Sequence, residues 1–189
     1  RCIADVGFGD ARRGVPMTPE TLMLWFCCTK PLVAAAFAKL VERGACDWDD
    51  RVCEHLPGFE KEGKQDIRIR HLLNHTAGVK DDPILHFFGM KKEELVARLL
   101  ALPMEPDWVP GERAAYSSWV NWFVLALVIE ALDGRPIDQV VAEEIIEPLG
   151  MRDSALRLTA DQYRSYGERL GWVHLTVAGS AFRSPMLDT

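Results

Sequence analysis

The longest run of apolar positions extends from Leu32 to Val41, reading Leu-Val-Ala-Ala-Ala-Phe-Ala-Lys-Leu-Val, with Lys39 alone polar. Its alanine content and lack of glycine predict a buried helix. Glu42-Arg43-Gly44 supplies the stop signal. Pro31 is tolerated in a first turn, where its missing N–H would have had no partner, so the helix is expected to begin at about Cys27 or Cys28. A second run, Asn121 to Leu132, is apolar on most sides and ends at Asp133-Gly134, which predicts a second buried helix. Lys91 to Leu102 instead carries one apolar stripe (Leu95, Val96, Leu99, Leu100), the pattern of a surface helix. Pro136 to Ile146 predicts a third amphipathic helix, ended by Glu147-Pro148-Leu149-Gly150-Met151.

Strand patterns are sparse. Cys2 to Gly9 alternates loosely and reads as a strand entering a turn, followed by turn-rich Ala11 to Thr18. Thr18-Pro19-Glu20 is expected to cap a short helical turn ahead of the apolar Leu22–Phe26. Cys46 to Val52 is a polar connection, continued to Leu56 and closed by Pro57-Gly58. Ile67 to Leu73 alternates and then turns helical, and His75-Thr76-Ala77-Gly78 ends it in a loop. Three prolines and a glycine make Pro103 to Arg113 irregular. From Arg152 the pattern loosens, and Ala178 to Pro185 reads as loop.

Composition narrows the function classes. Of 189 residues, 48% are hydrophobic and 26% charged, enough for a sizeable core, and one domain is expected. A net charge of −6 argues against nucleic acid and against an anionic membrane surface. No apolar run is long enough to span a bilayer, and the opening residues carry no secretory pattern. The start at Arg1 without a methionine leads us to expect an upstream segment. Five cysteines, Cys2, Cys27, Cys28, Cys46 and Cys53, form no Cys-x-x-Cys pair, so reduced thiols and a cytoplasmic setting are expected and a structural zinc site is not. His71 and His75, four apart, could share a helix face, but no His-Glu-x-x-His pattern accompanies them. Hydrogen bonding is the expected role, with no metal ligation.

The chemistry of the first helix depends on its opening. Cys27 falls where unpaired N–H groups and the helix dipole favour an anion, with Lys30 three residues on and on the same face. That setting lowers a thiol pKa and makes a nucleophile. Cys27 and Cys28 as small hydrophobes capping a buried helix is the other reading of the same residues. Cys28, turned about 100° away, is expected to be packed.

Four stretches in order carry a resemblance: Cys27-x-x-Lys30; Ile69-Arg70-His71-Leu72-Leu73-Asn74-His75-Thr76-Ala77-Gly78; Pro110-Gly111 ahead of Tyr116-Ser117-Ser118; and Glu147-Pro148-Leu149-Gly150-Met151. The set resembles the serine β-lactamase and penicillin-binding-protein superfamily, and looks closest to its class C-like esterases, peptidases and acyltransferases. The resemblance runs from about Val6 to Met151. It implies an α+β fold of the β-lactamase/transpeptidase type, a helical domain plus part of an antiparallel sheet, and no cofactor. It places Cys27 at the nucleophile, Lys30 at the motif lysine and Tyr116 at the motif tyrosine, with Ser118 where a substrate-contacting asparagine normally stands. A lysine crowded by a helix N-terminus and a second cation is expected to lose its proton and serve with Tyr116 in acid/base work.

Three departures from the family pattern shape the expected activity. Cys27 replaces serine, and a thioester intermediate is more open to amines and thiols, which favours acyl transfer over simple hydrolysis. Ser118 replaces the asparagine, so ordinary β-lactam recognition is not expected. The third family motif has no match at His174-Leu175-Thr176 or Gly179-Ser180-Ala181, where the family continues into its last strands. The expectation is therefore one β-lactamase-like domain over residues 1–189, divided as 1–26, 27–151 and 152–189. Its sheet would be completed by a further segment or a second chain. It would act on a small-molecule acyl substrate through Cys27, Lys30 and Tyr116. A non-catalytic homologue acting as scaffold, and one half of a two-chain enzyme, are the competing readings.

Overall fold

The computed structural model describes residues 3–82, 89–177 and 180–183. In chain order the elements are β1 (Asp10–Arg12), β2 (Val15–Pro16), α1 (Lys30–Glu42), α2 (Val52–His55), α3 (Ile69–Leu73), α4 (Lys92–Ala101), α5 (Val120–Asp133), α6 (Ile137–Val141), α7 (Ala160–Tyr166), β3 (His174–Val177) and β4 (Ser180–Arg183). They form two compact units, one of residues 27–154 and one drawn from both ends of the chain.

The larger unit is helical. Its core is α5 packed against α1, α2, α3 and α6. On α1 the buried residues are Val33, Ala36, Phe37 and Leu40, spaced i, i+3, i+4, i+7, one stripe of a 3.6-residue helix. Helix α5 buries Val120, Asn121, Val124, Leu125, Leu127, Val128 and Ile129, a wide face that fits its central place. A four-residue 3₁₀ turn, Phe26–Thr29, leads into α1, whose first turn accommodates Pro31. At the other end Gly44 takes φ +70, with Gly44 N–H bonded to Val41 O and Ala45 N–H to Leu40 O. This paired closure satisfies carbonyls the helix leaves open. Helix α6 passes into a π-helical turn, Ala142–Ile146, within the predicted third helix. Arg135 sits beside it and bonds Asp133, Glu143 and Glu144, while Arg43 also reaches Glu144.

The loop after helix α3, residues 75–80, lies along residues 103–115 as an irregular antiparallel ribbon. Lys80 N–H bonds Pro103 O, Glu105 N–H bonds Gly78 O, Gly111 N–H bonds Thr76 O, and Ala115 N–H bonds His75 O. Two glycines permit the close approach. A Cβ on Gly78 (φ +73) would lie 2.0 Å from the Trp108 indole, and one on Gly111 (φ +94) 3.2 Å from His71 Nε2. Trp108 Nε1 completes the seam by donating to Thr76 O at 3.0 Å. Nearby, Lys64 is fully buried and donates to Leu100 O at 3.0 Å and to Leu102 O, so it serves carbonyls at the end of α4.

The second unit holds the strands. β1 and β2 pair antiparallel, as do β3 and β4, with His174 opposite Arg183 and Val177 opposite Ser180. Leu22 forms a parallel bridge with Leu170, and Trp172 N–H bonds Ala11 O. Gly171 packs where a Cβ would stand 2.1 Å from Met23 Sδ.

Several expectations need correction. The early strand is at Asp10–Arg12, with its partner at Val15–Pro16, and not at Cys2–Gly9, of which Cys2 lies outside the described residues. Thr18–Thr21 forms a hydrogen-bonded turn, Thr21 N–H to Thr18 O, and no helix. The tail is more ordered than its pattern implies: Thr159 caps α7 through a reciprocal bond pair with Gln162. Within the expected loop 178–185, Ser180–Arg183 is a strand, and Ala178, Gly179, Ser184 and Pro185 lie outside the described residues. No helix among the described residues is long and apolar enough to cross a membrane.

Candidate active site

Cys27, Lys30 and Tyr116 meet at the opening of α1. Cys27 sits in the 3₁₀ turn and is exposed. The residue before it, Phe26, takes φ +45, a strained conformation for a side chain of that size. Hydrogen bonds from Tyr116, then burial in the opposite sense, then the hydrogen bond and charge of Lys30, leave the Cys27 thiol below its ordinary pKa. A thiolate is thereby favoured at that position. Cys46 shows the contrast: burial, with Asp50 and Asp47 adding to it, pushes its thiol up to about 11.

Lys30 differs from expectation. Burial draws its ammonium down, but hydrogen bonds with Tyr116 and Cys27 outweigh that, and the net shift is upward. The lysine of the free chain is therefore a cation at neutral pH. Aromatic faces surround it: its Nζ lies 5.1 Å from the Tyr116 ring centroid, 5.8 Å from that of Trp122 and 5.9 Å from that of Trp119. Ring quadrupoles stabilise the ammonium form further.

Tyr116 is held by its neighbours. The His75 ring stacks on it at 4.6 Å, tilted by 36°, and meets Trp122 edge-on at 5.8 Å. Ser117 N–H donates to His75 Nδ1 at 3.1 Å, which fixes the neutral ring with its proton on Nε2. Burial, followed by the charge of Lys30, lowers the His75 pKa, against a smaller opposing effect of Asp81. His75 thus faces the site as a neutral donor. Ser118, the candidate substrate contact, is tied by its backbone N–H to Asp81 Oδ2 at 2.9 Å.

Two further expectations change. Cys28 is exposed and not packed, because the 3₁₀ turn holding it precedes the helical stretch that faces the core. With Cys27 exposed as well, neither thiol acts as a buried cap. His71 and His75 do not share a helix face, since α3 ends at Leu73 and His75 takes φ +62. His71 is instead buried, its Nδ1 accepting from Arg68 N–H at 3.1 Å. Among the described residues, Asp50, Glu54 and His55 are close enough together to suit a cation, but Asp50 Oδ2 already accepts from His55 Nε2 at 2.9 Å and Asp47 N–H at 2.8 Å.

Asp81, Trp119 and Trp122 were not singled out in the sequence. Trp119, at the N-cap of α5, makes no side-chain cap bond, and Asp81 reaches Val120 N–H from far upstream in the chain.

The chain, a helical body with small antiparallel sheets, matches the Beta-lactamase family model over residues 3–177. The chain belongs to the β-lactamase family, with the β-lactamase/transpeptidase-like fold of the penicillin-binding-protein superfamily. It is 32% identical to the esterase EstB of Burkholderia gladioli over 168 residues, which is 78% of this chain and 41% of that protein. It superimposes on the octameric penicillin-binding protein homologue of Pyrococcus abyssi with a TM-score of 0.79 and 25% identity, covering 98% of this chain and 44% of that one. With EstCE1, described as a hydrolase with promiscuous acyltransferase activity, the TM-score is 0.71 and the identity 28%, over 93% of this chain and 49% of the other. The chain thus spans less than half the length of each of these relatives.

Proposed function

We propose that this chain carries the nucleophile of an acyl-enzyme hydrolase or acyltransferase of the class C-like branch, with Cys27 as nucleophile and Lys30 and Tyr116 managing charge and protons. The observation that carries the proposal is the exposed Cys27 at the opening of α1, on the same turn as Lys30, whose Nζ lies 5.1 Å from the Tyr116 ring centroid; that setting lowers the thiol. The hydrolase and esterase names of the relatives support acyl chemistry in general.

In the proposed sequence, the Cys27 thiolate attacks the carbonyl carbon of a small ester or amide, forming a C–S bond. Developing oxyanion charge faces the helix opening, where the Cys27 backbone N–H is a candidate donor. As the C–O or C–N bond breaks, the Tyr116 phenol gives its proton to the leaving group, and the Lys30 ammonium returns one to the phenolate. Lys30 therefore acts as an electrostatic partner and proton reserve, and no general base is needed for the first step. Water or an amine then attacks the thioester and passes its proton by way of Tyr116 to the neutral Lys30 amine, while the C–S bond breaks, so the acyl product leaves and both the thiolate and the ammonium are restored. The thioester favours amine acceptors, so acyl transfer is the preferred outcome. Ser118 is the candidate substrate contact. The proposal assigns the rest of the substrate site to a further segment or a second chain, in keeping with the part-length match to the relatives.

A non-catalytic reading draws on Ser118 in place of the asparagine. The test is intact mass after incubation with p-nitrophenyl acetate. Gain of one acetyl group in the parent chain, abolished by Cys27→Ala, supports the enzyme; equal labelling in both rejects it.

A further inference from the structure

We infer that Asp81 is a positioning residue for Tyr116, holding the loop that brings the phenol to Cys27. The inference rests on the roles proposed above for Cys27 and Tyr116.

Trp119, the N-cap residue of helix α5, makes no side-chain cap bond, so first-turn acceptors come from Ser117 and Asp81. The first-turn N–H groups of a helix need acceptors, and a carboxylate there also meets the positive end of the dipole. Asp81 supplies both from 39 residues upstream of Val120. Its Oδ1 accepts from Val120 N–H at 3.4 Å and from the Ser117 hydroxyl at 3.3 Å, and its Oδ2 accepts from Ser118 N–H at 2.9 Å. The Ser117 hydroxyl oxygen in turn accepts from Asn121 N–H at 3.1 Å.

Those anchored residues directly follow Tyr116. On its other side, Ala115 N–H bonds His75 O at 3.0 Å, and Ser117 N–H bonds His75 Nδ1. The backbone is therefore pinned before and after the tyrosine. This matters because Tyr116 is 57% exposed, so burial cannot hold its ring in place. A phenol that must meet a thiolate and an ammonium together depends on the fixity of its loop. Asp81 acts through that loop and does not itself touch the thiol.

The test compares Asp81→Ala, Asp81→Asn, Tyr116→Phe and the Asp81→Ala/Tyr116→Phe pair with the parent chain. The readout is the pH dependence of Cys27 alkylation by iodoacetamide, followed by peptide mass, with thermal unfolding alongside. Tyr116→Phe is expected to move the midpoint up and to slow alkylation at pH 7 by about three- to fivefold, the modest size suited to an exposed site. Asp81→Ala is expected to move the midpoint the same way, and the double variant no further than Tyr116→Phe alone. Asp81→Asn, which keeps one acceptor oxygen, is expected between Asp81→Ala and the parent. If Asp81→Ala does not fold, the Asp81→Asn midpoint decides, a parent-like value overturning the inference. An Asp81→Ala chain that melts earlier but keeps the parent midpoint reduces Asp81 to a helix cap and overturns the positioning role while leaving the proposed function standing. A double variant that adds the two shifts overturns it too. A Tyr116→Phe chain with the parent midpoint removes the proposed function, and this inference with it.

Discussion

The Lys30 ammonium lies 5.1 Å from the ring centroid of Tyr116, and the two residues together draw the Cys27 thiol below its ordinary pKa. Cation, phenol and sulfur therefore form one charge-sharing group, in which a proton removed from sulfur leaves a negative charge already neutralised. The hydrogen bond of Tyr116 is the largest single influence on the thiol, and Lys30 adds both a hydrogen bond and its charge. Tyr116→Phe and Lys30→Met should accordingly each raise the Cys27 titration midpoint. Iodoacetamide rates from pH 5 to 10 check this, and a parent-like midpoint in either variant would contradict it.

The cysteines should react in a fixed sequence. Cys27 is exposed and lowered, whereas Cys46 is half-buried with its thiol pushed up to about 11. A thiol becomes reactive as pH rises through its pKa, so at pH 7 Cys27 should be alkylated first and Cys46 should lag until the medium is strongly alkaline. Peptide mapping after a short iodoacetamide pulse measures this. Early modification of Cys46 would contradict the burial that raises it.

Gly78→Ala should be costly. The position requires φ +73, and the added methyl would lie 2.0 Å from the Trp108 indole. Backbone strain and overpacking together predict a loss of about 2–4 kcal/mol. Urea denaturation of the variant reads it directly. Because the same ribbon carries His75 and the loop to Tyr116, the variant should also alkylate more slowly at Cys27.

Lys64→Met keeps most of the side-chain volume but removes the donor to Leu100 O and Leu102 O. Two carbonyls at the end of α4 would be left without that partner, at a cost of about 1–3 kcal/mol. Burial lowers the Lys64 pKa, so the cost of keeping it charged is present below its folded pKa and is relieved as pH rises through that value. Stability of the parent chain relative to Lys64→Met should therefore increase in alkaline buffer. Denaturation curves at neutral and alkaline pH provide the comparison.

The sequence was most informative where periodicity and end signals agreed. The Leu32–Val41 run with Pro31 before it and Gly44 after it became α1, and the Asn121–Leu132 run became α5, each within a few residues. Elements set by distant contacts were harder to read. β1 has three residues and β2 two, too short for alternation to register, and their position is settled by pairing and by the Trp172 bond to Ala11. β4 lies in a stretch rich in turn-forming residues and exists through its pairing with β3. At the candidate site, Cys27, Lys30 and Tyr116 were legible from motif order. The charge state of Lys30 was not, because the contest between burial and two hydrogen bonds depends on where Tyr116 arrives. Asp81 was missed for a related reason: a remote cap leaves no local motif.

Formation of a covalent acyl adduct on Cys27 decides whether this thiol is the nucleophile. Intact-protein mass spectrometry after exposure to p-nitrophenyl acetate at pH 7 should show a single acetyl group on the parent chain. Peptide mass should place it on Cys27, Tyr116→Phe should slow its appearance, and Cys27→Ala should abolish it. An adduct that survives Cys27→Ala, or its absence from a folded parent chain, would contradict the central claim.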